Sequence, residues 1–440
     1  MHKRNTSTFI SICRNISTIL FILVIFGCNS HSKESDDNLL TFWSSNNPHE
    51  IEHAKQVVSE WNTKYPQYKV SYQPILEGRS SEEVLLAAIV SNTTPDIYSN
   101  LWPGVIQQYV DANIIVRLDT FPDFDSLLVS RIPATLHDQF RSPNGGYYQI
   151  PWKSNPIVLY YNKKYFEDYG IKAPLKTYSD FFQAAEKLTI DLDGDGDYDR
   201  WVMYVDHNVE WWHRFFDFYT FFIAASEGQS LMRGESVTFN TESGYAVFDF
   251  FQKGFKRGYF PNAIFQGDVF VQGKVALHIS GPWNIAQIEK YKPEGFEYGF
   301  MPIPVPDDYF GDNYTFGDPK SIGIFKTAKH PEIAWKFVKF LVSRNSDKHL
   351  LEITNQFPIR KNLLDDSLYD DYFQTSPQYT FFADLIPNIV GFDHTETLQE
   401  MFDIISQEFD ATCVHATKNP KQGIEDASRR CNNILLREKY

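Results

Sequence analysis

Positive charge is scarce in this chain: 41 Lys and Arg stand against 56 Asp and Glu, a formal net charge of −15 over 440 residues. With no basic excess to neutralise phosphates, a nucleic-acid partner is excluded as the reading of its surface. Signs of catalysis are missing too. No nucleophile elbow or phosphate-binding glycine loop is present, and His207, Glu210 and His213 do not have a zinc spacing. Cysteine is sparse, at four residues. What the chain does have is aromatic mass, 37 Phe, 25 Tyr and 9 Trp, which suits an aromatic core or an aromatic-lined binding cleft. With 42% hydrophobic and 22% charged residues the composition is globular, and the length suggests two to three domains.

The first 27 residues read as a signal peptide. Lys3, Arg4 and Arg14 make a positive start without an acid, and Ile16 to Phe26 is an apolar run too short for a stable membrane span. The sequence Ile25-Phe26-Gly27-Cys28 resembles a bacterial lipobox, which would make Cys28 the lipidated first residue of the mature protein; a plain secretory signal is the alternative. Residues 28–38 then form a polar, flexible tether. Cys13 leaves with the signal, so Cys413 and Cys431 remain as a pair. Outside the cytoplasm they read as a disulfide, against two buried free thiols.

Leu39 to Trp43, Val70 to Ile75 and Ile97 to Tyr98 are short strands. Between them lie a helix with Ile51, Ala54, Val58 and Trp61 on one face, and a second over Glu82 to Ser91 capped by Ser81. Strands alternating with helices predict a parallel sheet, with ligand beyond the strands' carboxyl ends near Trp43 to Asn47, Glu77 to Arg79 and Asn100 to Trp102. Two strands meeting prolines in 146–162 suggest a crossing between two lobes, and the proline-spaced Met301 to Pro306 the return. Further helices are expected over Tyr178 to Leu188, Val209 to Ser226, Thr241 to Arg257 and Glu332 to Ser343, and across most of Thr395 to Leu436.

Two local patterns carry chemistry. In Gln272 to Asn284, Val275, Leu277 and Ile279 alternate with Ala276, His278 and Ser280 before Gly281-Pro282-Trp283 stops the strand. Trp283 then sits at a strand end, free to stack on a flat ligand or to pack in the core. In the second pattern, Asp191, Asp193, Asp195 and Asp199 with Gly196 reproduce the first nine positions of an EF-hand calcium loop, and Asp197 adds a fifth carboxylate. Val202 replaces the glutamate at position twelve, so a structural Ca2+ would need another ligand; the bland reading is an acidic turn.

Five motifs in order resemble the family-one extracellular solute-binding proteins of bacterial ABC importers. They are Thr94-Pro95-Asp96-Ile97, Gly146 to Asn162, Phe270 to Trp283, Pro331 to Phe337 and Phe357-Pro358-Ile359-Arg360. The resemblance implies an α/β, periplasmic-binding-protein-like fold, two α/β lobes joined by hinge strands around a ligand cleft. The first lobe would comprise 39–150 and about 307–375, the second 151–306 and about 376–440. It also implies a monomeric, non-enzymatic, sugar-binding lipoprotein in the periplasm or on the cell surface, serving ABC permease subunits. In that frame Trp283 stacks on a sugar, one of Trp211 and Trp212 faces the cleft and the other the core, and Trp43, Trp102, Trp152, Arg79, Asn155 and Asp318 are candidate contacts. A secreted glycan-active enzyme with a calcium loop, or the same fold with a non-sugar solute, are the competing readings.

Overall fold

The structure, a computed structural model, describes residues 38–75, 81–207, 209–234 and 236–437. The expected signal peptide, Cys28, nearly all of the tether and Arg79 lie outside the described residues. Leu40–Tyr440 is one compact unit. Its strands, in chain order, are β1 Leu40–Ser44, β2 Val70–Pro74, β3 Ile97–Leu101, β4 Ile150–Ser154, β5 Val158–Asn162, β6 Trp201–Met203, β7 Met232–Arg233 and β8 Ser236–Val237. They continue with β9 Val275–Ser280, β10 Tyr298–Met301, β11 Thr315–Phe316, β12 Lys320–Ile324, β13 Phe357–Pro358 and β14 Ile389–Val390.

Two sheets define the two lobes. The first is six-stranded in the order β13-β4-β12-β3-β1-β2, with β1 parallel to β2 and β3 while β12 runs antiparallel to both β3 and β4. The second is four-stranded in the order β10-β5-β9-β6, with β9 antiparallel to β5 and parallel to β6. The chain passes from one sheet to the other between β4 and β5, at Asn155 to Ile157. It returns between β10 and β12, through β11, and β11 pairs in parallel with β14. Those three segments are bonded side by side: Asn155 N–H donates to Gly317 C=O (2.7 Å), Ile157 N–H to Phe316 C=O (2.9 Å) and Gly317 N–H to Val390 C=O (3.0 Å).

Local sequence explains the helices that cover the sheets. Asn47 caps Pro48–Lys64 by accepting from the N–H groups of His49 and Glu50, with Pro48 at the first helical position, and Ala54, Val57, Val58 and Trp61 are buried. Thr177 and Asp180 form a capping box for Tyr178–Leu188. Pro331–Leu341 buries Ile333, Ala334, Trp335, Phe337, Val338 and Leu341. The single helix expected over Val209 to Ser226 is divided into a 3-10 turn, Trp211–Phe215, and a helix, Phe218–Ala225. The cause is Asp217, whose carboxylate accepts from Phe218 N–H and pairs with Arg214 at 3.0 Å, so that the chain restarts there.

The larger core belongs to the second lobe and is a lattice of rings: Phe181, Phe221, Phe251 and Phe260 all lie within 6.2 Å of Phe250. The first lobe packs Phe42, Trp61, Trp152, Trp335 and Phe337 between its sheet and helices. A third cluster, from Leu351 through Phe382 and Leu385, joins Val158 and Tyr160 of β5 to β13. Among the described residues no helix is long and apolar enough to cross a membrane.

The first lobe also buries a polar knot. Glu50 pairs with Lys153 and accepts from Gln356 Nε2 at 2.8 Å, both carboxylate and ammonium being essentially sealed from water. Although burial opposes it, Lys153 holds the Glu50 carboxyl below its ordinary range. Beside it His53 stands with its Nδ1 2.9 Å from that of His349. Burial, then the neighbouring His349, drive His53 down to about 3, so it is neutral in the fold. Its contribution to stability is whole above about pH 6.5, the unfolded value, and is lost as pH falls towards about 3, at roughly 1.4 kcal/mol per unit. Urea titrations should therefore show a shallower fall in unfolding free energy between pH 6.5 and 4 for His53→Phe than for the parent chain. Equal slopes would count against a buried neutral imidazole.

Candidate functional site

Trp102 and Trp283 occupy equivalent places on the two sheets. Trp102 follows the carboxyl end of β3 and Trp283 lies just beyond that of β9. Gly281 makes the second position possible: a Cβ there would lie 1.9 Å from the Trp283 ring, so only glycine lets the indole fold back over the turn. Tyr160 O–H donates to Gly281 C=O at 2.7 Å and fixes the turn to β5. The indole meets Phe216 edge-on at 5.9 Å, half in the second lobe's core and half open.

Between the lobes lies a cavity of about 900 Å3. Trp102, Trp211, Trp212 and Trp283 line it with Tyr109, Phe215, Phe216 and Phe392, and Glu83, Gln108, Asp318, Lys320, Glu396 and Gln399 supply polar groups. Such a volume, mostly ring surface with a few directed polar atoms, has the character of a small-molecule site. Rings from both lobes meet inside it: Trp102 lies 5.5 Å from Trp211, 5.7 Å from Phe215 and 4.6 Å from Phe392.

Both Trp211 and Trp212 reach the cavity, in place of one facing it and one the core. Both stand at the start of the 3-10 turn Trp211–Phe215, which with Phe216 borders one part of the cavity. Trp211 leans inward against Phe215 at 5.4 Å, whereas Trp212 is 42% exposed. A polar bracket holds Trp212: its Nε1–H donates to Glu210 at 2.9 Å and its ring stacks on His213, centroids 3.6 Å apart. His213 in turn faces Asp206 at 3.1 Å, and burial keeps its imidazole below the ordinary value despite that carboxylate.

Asp318 also lines the cavity, bonded to Lys320 at 2.5 Å and within 3.5 Å of Asn155 Nδ2. Asn155 itself is buried behind it, a support for Asp318 and not part of the wall. Two expected contacts are elsewhere. Trp43 points to the face of β1 opposite Phe42 and packs against the cluster that contains Ile75, Tyr98 and Leu101, because neighbours on a strand alternate sides. Trp152 is 2% exposed in the first lobe's core, 6.2 Å from His53. The sequence reading missed Phe215, Phe216 and Phe392 and the carboxylates Glu83 and Glu396; a period in Trp211 to Phe216 would have offered the first two, while Phe392 needs the pairing of β14 with β11.

The acidic loop brings together three of its five aspartates. Oxygens of Asp191, Asp193 and Asp195 lie within 4.8 Å of one another, while Asp199 turns back to accept from Leu192 N–H at 2.6 Å. Asp191 accepts from Gly194 N–H (2.6 Å) and Gly196 N–H (2.9 Å), bonds that hold its carboxyl below the usual range. Gly194 and Gly196 have φ of +80° and +98°, which the tight turn requires.

The disulfide expected between Cys413 and Cys431 is not formed; both are buried free thiols. They face different neighbours. Cys413 Sγ lies 3.5 Å from Phe248 C=O and Cys431 Sγ 3.7 Å from Met401 C=O, on two different helices. Burial raises both thiols well out of the reactive range, Cys431 to about 12. Peptide mapping of unreduced protein, alkylated after denaturation, should find both cysteines modified singly; a cross-linked peptide pair would contradict the packing.

Residues 56–380, about three quarters of the chain, match the bacterial extracellular solute-binding protein family. An arabinooligosaccharide-binding protein of Bacillus subtilis is 22% identical over 95% of this chain and 98% of its own length. A maltotriose-binding protein of Pyrococcus abyssi is 22% identical over 76% of this chain and 69% of its own. Among solved structures, the sugar-binding protein MalE of Xanthomonas citri superposes with a TM-score of 0.75 at 18% identity, covering 91% of this chain and 98% of that one. An uncharacterised Listeria monocytogenes protein reaches 0.80 at 23% identity over 90% and 99%. With two lobes, a crossed hinge and a ring-lined cleft already in place, the match establishes that this chain belongs to the bacterial extracellular solute-binding proteins, which work outside the cytoplasm.

Proposed function

We propose that this protein is the capture component of an ABC importer, that its cargo is an oligosaccharide, and that it hands this cargo to permease subunits after the lobes close. The observation that carries the reading is the cavity between the lobes, walled by four tryptophans drawn from both. Flat aromatic faces suit the apolar faces of sugar rings, and the surrounding carboxylates and amides suit their hydroxyls. A ligand touching both lobes favours the closed state by its differential affinity, and that state is what a permease can read. The arabinooligosaccharide- and maltotriose-binding relatives support the substrate class. We further propose a monomer tethered to the membrane by lipid on Cys28, which radiolabelled palmitate incorporation lost in Cys28→Ser would test.

A thermal-shift panel of oligosaccharides is the direct check, since a ligand bound only to the native state stabilises it by about 2.7 kcal/mol at a hundred times its Kd. Trp283→Ala should weaken binding of the responding sugar at least about tenfold, equivalent to about 1.4 kcal/mol, with a small loss in Tm. Trp152→Ala should instead cost about 3–5 kcal/mol of stability, as a buried ring does. The reverse pattern would return Trp283 to the core.

The acidic loop is proposed to hold a structural Ca2+ through Asp191, Asp193 and Asp195, with Asp197 and Asp199 completing or closing the turn. Clustered carboxylate oxygens are the ligands a hard cation takes, and a cation would relieve their mutual repulsion. Calorimetric titration of chelator-treated protein with Ca2+ should give one site that Asp193→Asn weakens; no heat and no change in Tm would dismiss it.

A further inference from the structure

Resting on the sugar-binding reading, we propose that Glu50, sealed in the first lobe and away from the cavity, is a positioning residue for it: by holding Lys153, Glu50 keeps that ammonium from drawing the Asp318 carboxylate out of the cavity wall. Strands β4 and β12 run antiparallel with Lys153 opposite Lys320. Like charges placed opposite each other on neighbouring strands repel, so each lysine needs a carboxylate of its own. Lys153 has Glu50, and Lys320 has Asp318, Nζ to Oδ1 2.5 Å. Of these two pairs, only Asp318 and Lys320 line the cavity.

The two carboxylates differ in how firmly they are held. Glu50 stands in the first turn of the helix Pro48–Lys64, and besides Lys153 it accepts from Ser45 Oγ at 2.5 Å and Gln356 Nε2 at 2.8 Å. Asp318 has Lys320 and, at the limit of bonding distance, Asn155 Nδ2 at 3.5 Å. Lys153 feels both pairs. Burial holds its ammonium below the ordinary value and Glu50 opposes that; of the two cavity charges, Lys320 adds to the lowering and Asp318 works against it. Without the charge on Glu50, Lys153 becomes a buried cation lacking its partner, a state costly enough to reorganise a neighbour that can supply one. Asp318 is that neighbour, since it is the other carboxylate acting on Lys153. Its oxygens would then turn from the hydroxyls of a bound sugar towards β4.

The test is a double-mutant cycle read by calorimetric titration of the protein with arabinotriose, maltotriose and galactotriose, at a temperature where circular dichroism shows every variant folded. For whichever of these the parent binds, Glu50→Gln should weaken binding at least about tenfold, as loss of a charged acceptor does. In the Asp318→Asn background the same change should cost less than about twofold, because residues that act on one group are not additive. Removing the competing cation as well, in Glu50→Gln with Lys153→Met, should restore affinity to within about threefold of the parent, since a buried ion pair is replaceable by neutral side chains. If Glu50→Gln does not fold, Glu50→Asp takes its place in the cycle; its shorter side chain loosens the hold on Lys153, and a smaller loss with the same dependence on Asp318 is expected. Equal losses in both backgrounds, no loss at all, or no recovery on removing Lys153 would overturn the positioning role and leave the carbohydrate reading standing. A parent chain that binds none of these sugars, nor any in a wider panel, would overturn the carbohydrate reading and the positioning role with it.

Discussion

The structure turns on the bonding of three chain segments around Gly317. Its carbonyl accepts from Asn155, its N–H donates to Val390, and both lobes hang from these peptide bonds. Nothing larger than hydrogen fits there: a Cβ on Gly317 would lie 2.7 Å from the Ile389 side chain and 2.9 Å from Ser154 Oγ. The next residue, Asp318, adopts a left-handed φ of +36° and so directs its carboxylate into the cleft. A junction of backbone bonds resists stretching and shear yet permits rotation at a few dihedrals, which is what a hinge between rigid lobes requires. The segment that connects the lobes thus also lines the cavity between them.

Much of this organisation was legible in the sequence because it rests on short-range rules. Alternation in Val275 to Ser280 placed the strand, and the glycine and proline after it placed Trp283 at the strand end. The same logic located Trp102 after β3. It failed at Trp43 and Trp152 for a related reason: a residue inside a strand is assigned to a face by parity and by what covers that face, and the cover is tertiary. β14 was invisible because two residues, Ile389 and Val390, carry no period, and only their pairing with β11 makes them a strand. The cysteines show the limit of spacing as evidence. Residues on neighbouring helices can share a core and still face different partners, as Cys413 does with Phe248 and Cys431 with Met401.

The abundance of aromatic residues has two destinations. The largest group of rings fills the second lobe, where edge-to-face contacts among phenylalanines make a dense core. A minority continue from that core to the cavity wall: Phe215 touches Phe402 inside at 4.3 Å and Trp102 in the cleft at 5.7 Å. The cavity wall is therefore the exposed edge of the core. Side chains of such a wall are held by packing before any ligand arrives, which lowers the ordering cost of binding.

The contact between Trp102 and Trp211 has an optical consequence. One indole rides on the first sheet and the other on the second lobe, with ring centres 5.5 Å apart. At that separation excited-state energy passes readily between indoles, and the transfer changes steeply as the rings part. Any change in the spacing of the lobes would alter it, so the pair would serve as an intrinsic spectroscopic gauge of their separation, requiring no attached dye.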